Sequence, residues 1–232
     1  TESDIKAARV RQTMVDQPLL RIYEAAGASH VTYWMSLQGQ VIGEYQFGIP
    51  ATGNVDSPCT LPFNPLRTSV PLSAIQHRLA RWIQFDETPP DSSYMQVEGD
   101  WDGPVDSYFN PPVSWVRDDG DNDSTDGDDG VGDGNALGGV RPAAIGAPLG
   151  NYYGFGFYPE GPLSLNGIYC NSIYGGFEAY TSEELQERYF NKPTYLASFW
   201  WSMFVSWIDG FLLLPDAMLI YDEAKAYDGL PD

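Results

Sequence analysis

The first apolar run of the chain alternates. From Leu19 to Ile49 it is interrupted at Gly27, Gly39 and Gly43. Within it His30, Thr32 and Trp34 share one period-two face, and Val31, Tyr33 and Met35 share the other, which predicts strands. Ahead of it, residues 3–15 carry Ile5, Ala8 and Val15 among basic side chains and read as a short helix or an arm. Residues 50–71 contain Pro50, Pro58, Pro62, Pro65 and Pro71, which predicts loop or edge strand. Residues 72–85 fit two periods. Ile75, Leu79 and Trp82 have helical spacing, while Leu79, Ile83 and Phe85 fit a strand only with Arg81 on the wrong face; a strand after a short turn is the reading adopted.

Beyond residue 86, loop chemistry alternates with short apolar pieces, and Pro89-Pro90 and Pro111-Pro112 are hard breaks. Residues 118–134 are low in complexity and hold eight aspartates, which predicts an exposed loop. Residues 138–180 are rich in glycine and aromatics and predict short strands joined by turns. Thr181 and Glu184 form a capping box that predicts a helix over 182–190, ended by Asn191-Lys192-Pro193. Residues 195–221 are the most apolar stretch. They read as a membrane helix interrupted by Asp209 and Gly210, as an amphipathic helix with Ser198, Ser202, Ser206 and Asp209 in one polar stripe, or as strands turning at Asp209-Gly210. Aromatic and β-branched content favours strands. The sum predicts an all-β sandwich or jelly roll with a loop-rich insertion.

Charge narrows the function classes. The 232 residues carry 32 acids, 21 of them aspartate, against 12 Lys and Arg, for a net charge of −20. So acidic a chain repels phosphate, which argues against a nucleic-acid partner or a polybasic contact with anionic lipid. Many small carboxylates with few lysines fit a protein working in concentrated salt, where the Debye length falls to roughly 3 Å. Residues 1–17 are polar and show no secretory signal, and a start at Thr1 fits loss of an initiator Met. Cys59 and Cys170 are too few for a disulfide scaffold; they pair with each other, pair with another chain, or sit as buried thiols.

Chemistry-bearing motifs are sparse. There is no G-x-S-x-G elbow, P-loop or dinucleotide fingerprint, and neither His30 nor His77 sits in a recognisable motif. Glu98 and Asp100 begin an E-x-D-x-x-E glycosidase pattern, but Gly103 stands where the second Glu belongs. Asp119, Asp121 and Asp123 are candidate calcium ligands, although no register of the loop satisfies an EF-hand. Tyr152, Tyr153, Phe155, Phe157 and Tyr158 make a candidate sugar platform or interface patch. The expectation is a non-enzyme with no cofactor and no metal beyond those weak aspartate ligands.

The N-terminal run TESDIKAARVRQTMVDQPLLRIYEAAG, the loop DDGDNDSTDGDDG and the C-terminal run YLASFWWSMFVSWIDGFLLLPDAMLIYDEAKAYDGLPD resemble the larger major capsid protein of sphaerolipoviruses, icosahedral viruses of haloarchaea with an internal membrane. The resemblance implies a single vertical jelly roll over residues 1–85 and 156–232, with residues 86–155 as an inserted β-rich tower. It implies a place in the virion's capsid shell. Its partners there would be the smaller major capsid protein, copies of itself in pseudo-hexameric capsomers, and vertex and membrane-associated viral proteins. The rival readings are a haloarchaeal carbohydrate-binding or surface β-sandwich module built on residues 152–158, and the glycosidase of Glu98 and Asp100.

Overall fold

A computed structural model describes residues 18–53, 55–99, 113–119, 132–158 and 165–231. Helices dominate. In chain order the elements are α1 (Tyr33–Phe47), α2 (Ser69–Phe85), β1 (Val97–Gly99), β2 (Val113–Trp115), α3 (Ala143–Gly146), β3 (Gly150–Tyr153), α4 (Leu165–Cys170), β4 (Gly176–Ala179), α5 (Ser182–Tyr189), α6 (Lys192–Ile208) and α7 (Leu214–Ala226). Among the described residues the strands form two antiparallel pairs, β1 with β2 and β3 with β4. The all-β jelly roll with its inserted tower is therefore overturned.

Each misread segment has a local cause. Over 33–47 the alternation was incidental. Thr32 caps α1 by accepting from the Met35 amide at 3.5 Å, Gly48 ends it in the left-handed region, and no residue of the helix is buried. Its half-buried side, Tyr33, Trp34, Ser36, Leu37, Gln40 and Gly43, mixes apolar and polar residues, while Val41, Ile42, Tyr45 and Phe47 are exposed, so hydrophobicity does not mark the inner face. Over 69–85 the Ile75, Leu79 and Trp82 spacing was the true one. Residues 195–221 form two helices, α6 and α7, with Asp209-Gly210 between them; α6 spans 17 residues, and no described helix is long and apolar enough to cross a membrane. The helix predicted from the capping box is α5, where both reciprocal hydrogen bonds of the box form. Asn191 then caps α6 and Pro193 sits in its first turn, where its missing N–H is not needed.

The serine stripe on α6 faces inward. Gly146 of α3 lies so close to Ser202 that a Cβ would collide with the hydroxyl, and Ser206 Oγ donates to the Arg141 carbonyl at 3.2 Å. Small side chains let α3 and α6 approach, while Trp200, Trp201 and Trp207 are left exposed.

Two apolar clusters share the interior. One gathers Ala26, Leu66, Met95, Trp115, Ile145 and Tyr152 from loops and strands; the other gathers Val70, Leu185, Tyr189, Tyr195, Phe199 and Leu212 from helices. Partly buried Ala144 packs against both. Short backbone bridges join the segments of the first cluster, such as Ala25 with Val140, Met95 with Gly138 and Arg117 with Ala136, and two fully buried asparagines add side-chain partners where the bridges stop. Asn64 Nδ2 donates to the carbonyls of Gly27 (2.7 Å) and Tyr153 (3.2 Å), while its Oδ1 accepts from the Leu66 amide (2.8 Å). Asn135 Nδ2 donates to the carbonyls of Asp133 (2.9 Å) and Gly150 (3.2 Å), while its Oδ1 accepts from the Tyr152 amide (2.7 Å). Arg141 joins this region by pairing with Asp133 at 2.9 Å and donating to the carbonyls of Ala136 and Ile145.

Cys59 and Cys170 form a disulfide that closes a sequence separation of 111 residues. Gly156 packs against Cys59 and donates to the Cys170 carbonyl at 2.9 Å.

Asn135→Ala strands three backbone groups and is expected to lower the unfolding free energy by about 2–4 kcal/mol in urea melts; a loss below about 0.5 kcal/mol would contradict the latch. Replacing both cysteines by serine is expected to cost about 2–4 kcal/mol on the same assay, with the denaturation midpoint of the reduced wild type falling alongside.

Candidate functional site

A cavity among the described residues lies between the 65–71 segment, residues 140–149, and the inner faces of α6 and α7. Its volume is about 440 Å³. Helical spacing builds its walls. Tyr195 and Phe199 stand four residues apart on α6, and Ile220 and Ala224 four apart on α7, so each pair occupies one face. Val70 and Pro71 at the start of α2, and Phe211 and Leu212 in the α6–α7 connection, complete the apolar lining.

The polar groups of the lining are few and mostly engaged. Arg67 makes a forked ion pair with Glu223 of α7, with Nε 2.6 Å from Oε1 and 2.9 Å from Oε2. The same guanidinium lies 3.5 Å from the Trp34 ring centre, and the Trp34 indole donates to the Pro65 carbonyl at 2.7 Å. Arg141 is held by Asp133 as described, and Ser206 by Arg141.

Phenols crowd this region. Tyr195 packs edge-on against Tyr189, tilted against Phe199 and Tyr227. Burial pushes the hydroxyls of Tyr152, Tyr189 and Tyr195 well above the usual phenol range, and neighbouring phenols push them further. Tyr180 is raised too, mainly by burial; the Arg188 guanidinium stacked on its ring opposes the shift without cancelling it.

The residues singled out from sequence are scattered. Asp119 is exposed, and Asp121 and Asp123 lie outside the described residues; no group of three or more His, Cys, Asp or Glu among the described residues is placed to hold a metal. Glu98 is exposed on β1, and Asp100 lies outside the described residues. His30 and His77 are both exposed, and His77 lies in a shallow groove with Arg78, Arg81 and Trp207. The expected aromatic platform is broken by alternation: Tyr152 is 4% exposed and points into the core, Tyr153 lies under the Arg117 guanidinium, and Phe157 is turned outward. Gly27-Ala28-Ser29 is half of a nucleophile elbow, with Gly27 left-handed at φ 67°. Ser29, however, is 2% exposed, and its hydroxyl donates to the Val31 carbonyl at 3.0 Å.

The cavity itself went unread in the sequence. Arg67 and Glu223 are 156 residues apart and carry no local signal of pairing. The one available sign was the four-residue spacing of Tyr195, Phe199 and Met203.

A family model for the alpha/beta hydrolase domain matches residues 1–221. The chain belongs to the alpha/beta hydrolase domain family. No curated protein and no solved structure matches the chain. The family assignment overturns the capsid resemblance, and with it the smaller capsid partner, the capsomers, the vertex and membrane-associated viral proteins, the virion shell and the expectation of a non-enzyme. The carbohydrate-binding module gains no support from it either. The two antiparallel strand pairs of the described residues differ from the sheet that carries a nucleophile elbow in that fold.

A phenol whose pKa is raised by folding stabilises the protein below the unfolded value, near 10, and loses that contribution as pH climbs. Spectrophotometric titration is therefore expected to show Tyr152, Tyr180, Tyr189 and Tyr195 ionising together with loss of structure above about pH 10. All 15 tyrosines titrating freely near pH 10 in an intact fold would contradict this.

Proposed function

We propose that the protein is a hydrolase acting on carboxylic esters, and that the cavity lined by Tyr195, Phe199, Phe211 and Ile220 receives the apolar part of the substrate. The family match over residues 1–221 carries this reading. The cavity adds to it, since ligand sites are concave, mainly apolar and furnished with a few placed polar groups, and about 440 Å³ falls within their usual span of about 300–1,000 Å³.

On this reading the aromatic walls exclude water from the bound alkyl or aryl group. Ester hydrolysis gains from such exclusion because the charge developing on the acyl oxygen then meets fixed dipoles in a medium of low dielectric. The Arg67–Glu223 pair fixes the spacing between α7 and the 65–71 segment, and so the width of the cavity. The stacked Trp34 ring holds Arg67 in place.

The test is turnover of 4-nitrophenyl butyrate combined with a fluorophosphonate probe and peptide mass spectrometry. The expected result is saturable hydrolysis, abolished in step with a covalent adduct on one nucleophilic side chain. Folded protein that neither exceeds the buffer rate nor takes up the probe would overturn the proposal.

A further inference from the structure

We infer that the groove between α2 and the α6–α7 connection is a binding site for a carboxylate with an apolar body, its charged end on Arg78 and its body along Trp207 and Leu214. The inference goes beyond the hydrolase reading and does not rest on it.

Helical spacing makes one wall basic. His77, Arg78 and Arg81 all line the groove from α2. Arg81 follows His77 by four residues and Arg78 by three, so the three share a face. The other wall is Trp207 and the corner from Leu212 to Pro215, and the space between holds about 450 Å³. Trp207 and Leu214 are 46% and 65% exposed, so this wall offers apolar surface for a ligand to cover. Gly210 fixes the place of the charge. It turns the chain after α6 at φ 86°, and a Cβ there would meet Arg78 Nη2 at 2.9 Å and Nε at 3.0 Å. The guanidinium thus packs against bare backbone. Arg67, Arg81 and Arg141 each grip a carboxylate, whereas Arg78 grips none among the described residues.

Charge selects the ligand. In a chain of net charge −20, the lining of this groove holds three basic side chains and no acid. Asp209 and Asp216 flank the corner in sequence, but neither lines the groove or pairs with Arg78. Glu87, two residues past the end of α2, is taken by Arg81, with Nε 2.5 Å from Oε2. Its carboxyl is held below the usual range, first by that hydrogen bond and further by the charges of Arg81, Arg78 and His77, which outweigh its desolvation. A carboxylate beside this end of α2 therefore gains from all three groups. Arg78 is left to fork onto the two oxygens of a second carboxylate, which the ligand brings. A cation is repelled by the same groups, and a neutral molecule gains only the apolar wall.

The experiment measures binding of octanoate, 1-octanol, octylammonium and acetate by ligand-observed NMR, with wild type, Arg78→Gln and Arg78→Lys. Wild type is expected to bind octanoate more tightly than the other three probes. Arg78→Gln should weaken octanoate about tenfold and leave 1-octanol within about twofold. Arg78→Lys keeps the charge but loses the fork, and should cost octanoate about threefold. Raising NaCl from about 0.1 M to about 1 M shortens the Debye length from roughly 10 Å to roughly 3 Å, and should weaken octanoate but not 1-octanol. Octanoate that binds all three proteins equally, as it would in the α6–α7 cavity, overturns the inference. So does octanoate that binds no better than 1-octanol, or no binding of any probe. A wild-type dimer in light scattering that Arg78→Gln turns into monomer would give the groove to a second copy and overturn it too. Where Arg78→Gln does not fold, Arg78→Lys decides: weaker octanoate with unchanged 1-octanol sustains the site, and unchanged octanoate overturns it. The assay needs no turnover, so failure of the ester test leaves this result standing.

Discussion

Asn135 sits where a sheet would ordinarily do the work. Its amide holds the carbonyls of Asp133 and Gly150 and its oxygen holds the Tyr152 amide, with no part of the side chain exposed. Among the described residues β3 pairs with β4 alone, and the Asn135 side chain meets the Gly150 carbonyl and the Tyr152 amide on its second edge. Asp133, fixed by the same turn, accepts from Arg141, and Arg141 in turn ties down the carbonyls of Ala136 and Ile145. One amide side chain and one ion pair thus define the path of residues 133–152. That path carries Ala143, Leu149 and Tyr152 to the cavity.

The helical half depends on closeness of a different kind. Gly146 and Ser202 allow α3 to lie against α6, and this contact turns Tyr195, Phe199 and Met203 inward. The forked Arg67–Glu223 pair then spans the opening between α7 and the loop that enters α2. A cavity survives between these walls because they are held by polar fixings at their margins rather than by side chains meeting in the middle. Close packing would otherwise fill such a space.

Legibility in the sequence followed the range of the determining interaction. The capping box of Thr181 and Glu184 acts across three residues, and the helix it announced is present. Proline at the entry to α6 and glycine after α1 are equally local. The polar stripe of Ser198, Ser202, Ser206 and Asp209 was also visible, although strands were favoured there; in the helix Ser202 and Ser206 press against the α3 region, while Asp209 and three tryptophans are exposed. A polar stripe read as the wet side assumes that burial follows hydrophobicity, and here close backbone approach took precedence. Over 33–47 burial does not follow hydrophobicity, since Gln40 and Gly43 are half-buried while Val41, Ile42 and Phe47 are exposed. The cavity depends on pairs such as Arg67 with Glu223, whose distance in sequence leaves no trace in any window. The family relationship has no short local signature here, because the chain lacks the G-x-S-x-G elbow.

The claim that the buried asparagines lock the backbone beneath the cavity is tested most directly by amide hydrogen exchange at Tyr152 and Leu66, whose N–H groups donate to the asparagine oxygens. The account predicts that both exchange only through near-global unfolding, as slowly as the amides in the middle of α6. Exchange at either amide as fast as in the exposed segment around Gly53 would show that these latches are open in solution and would contradict it.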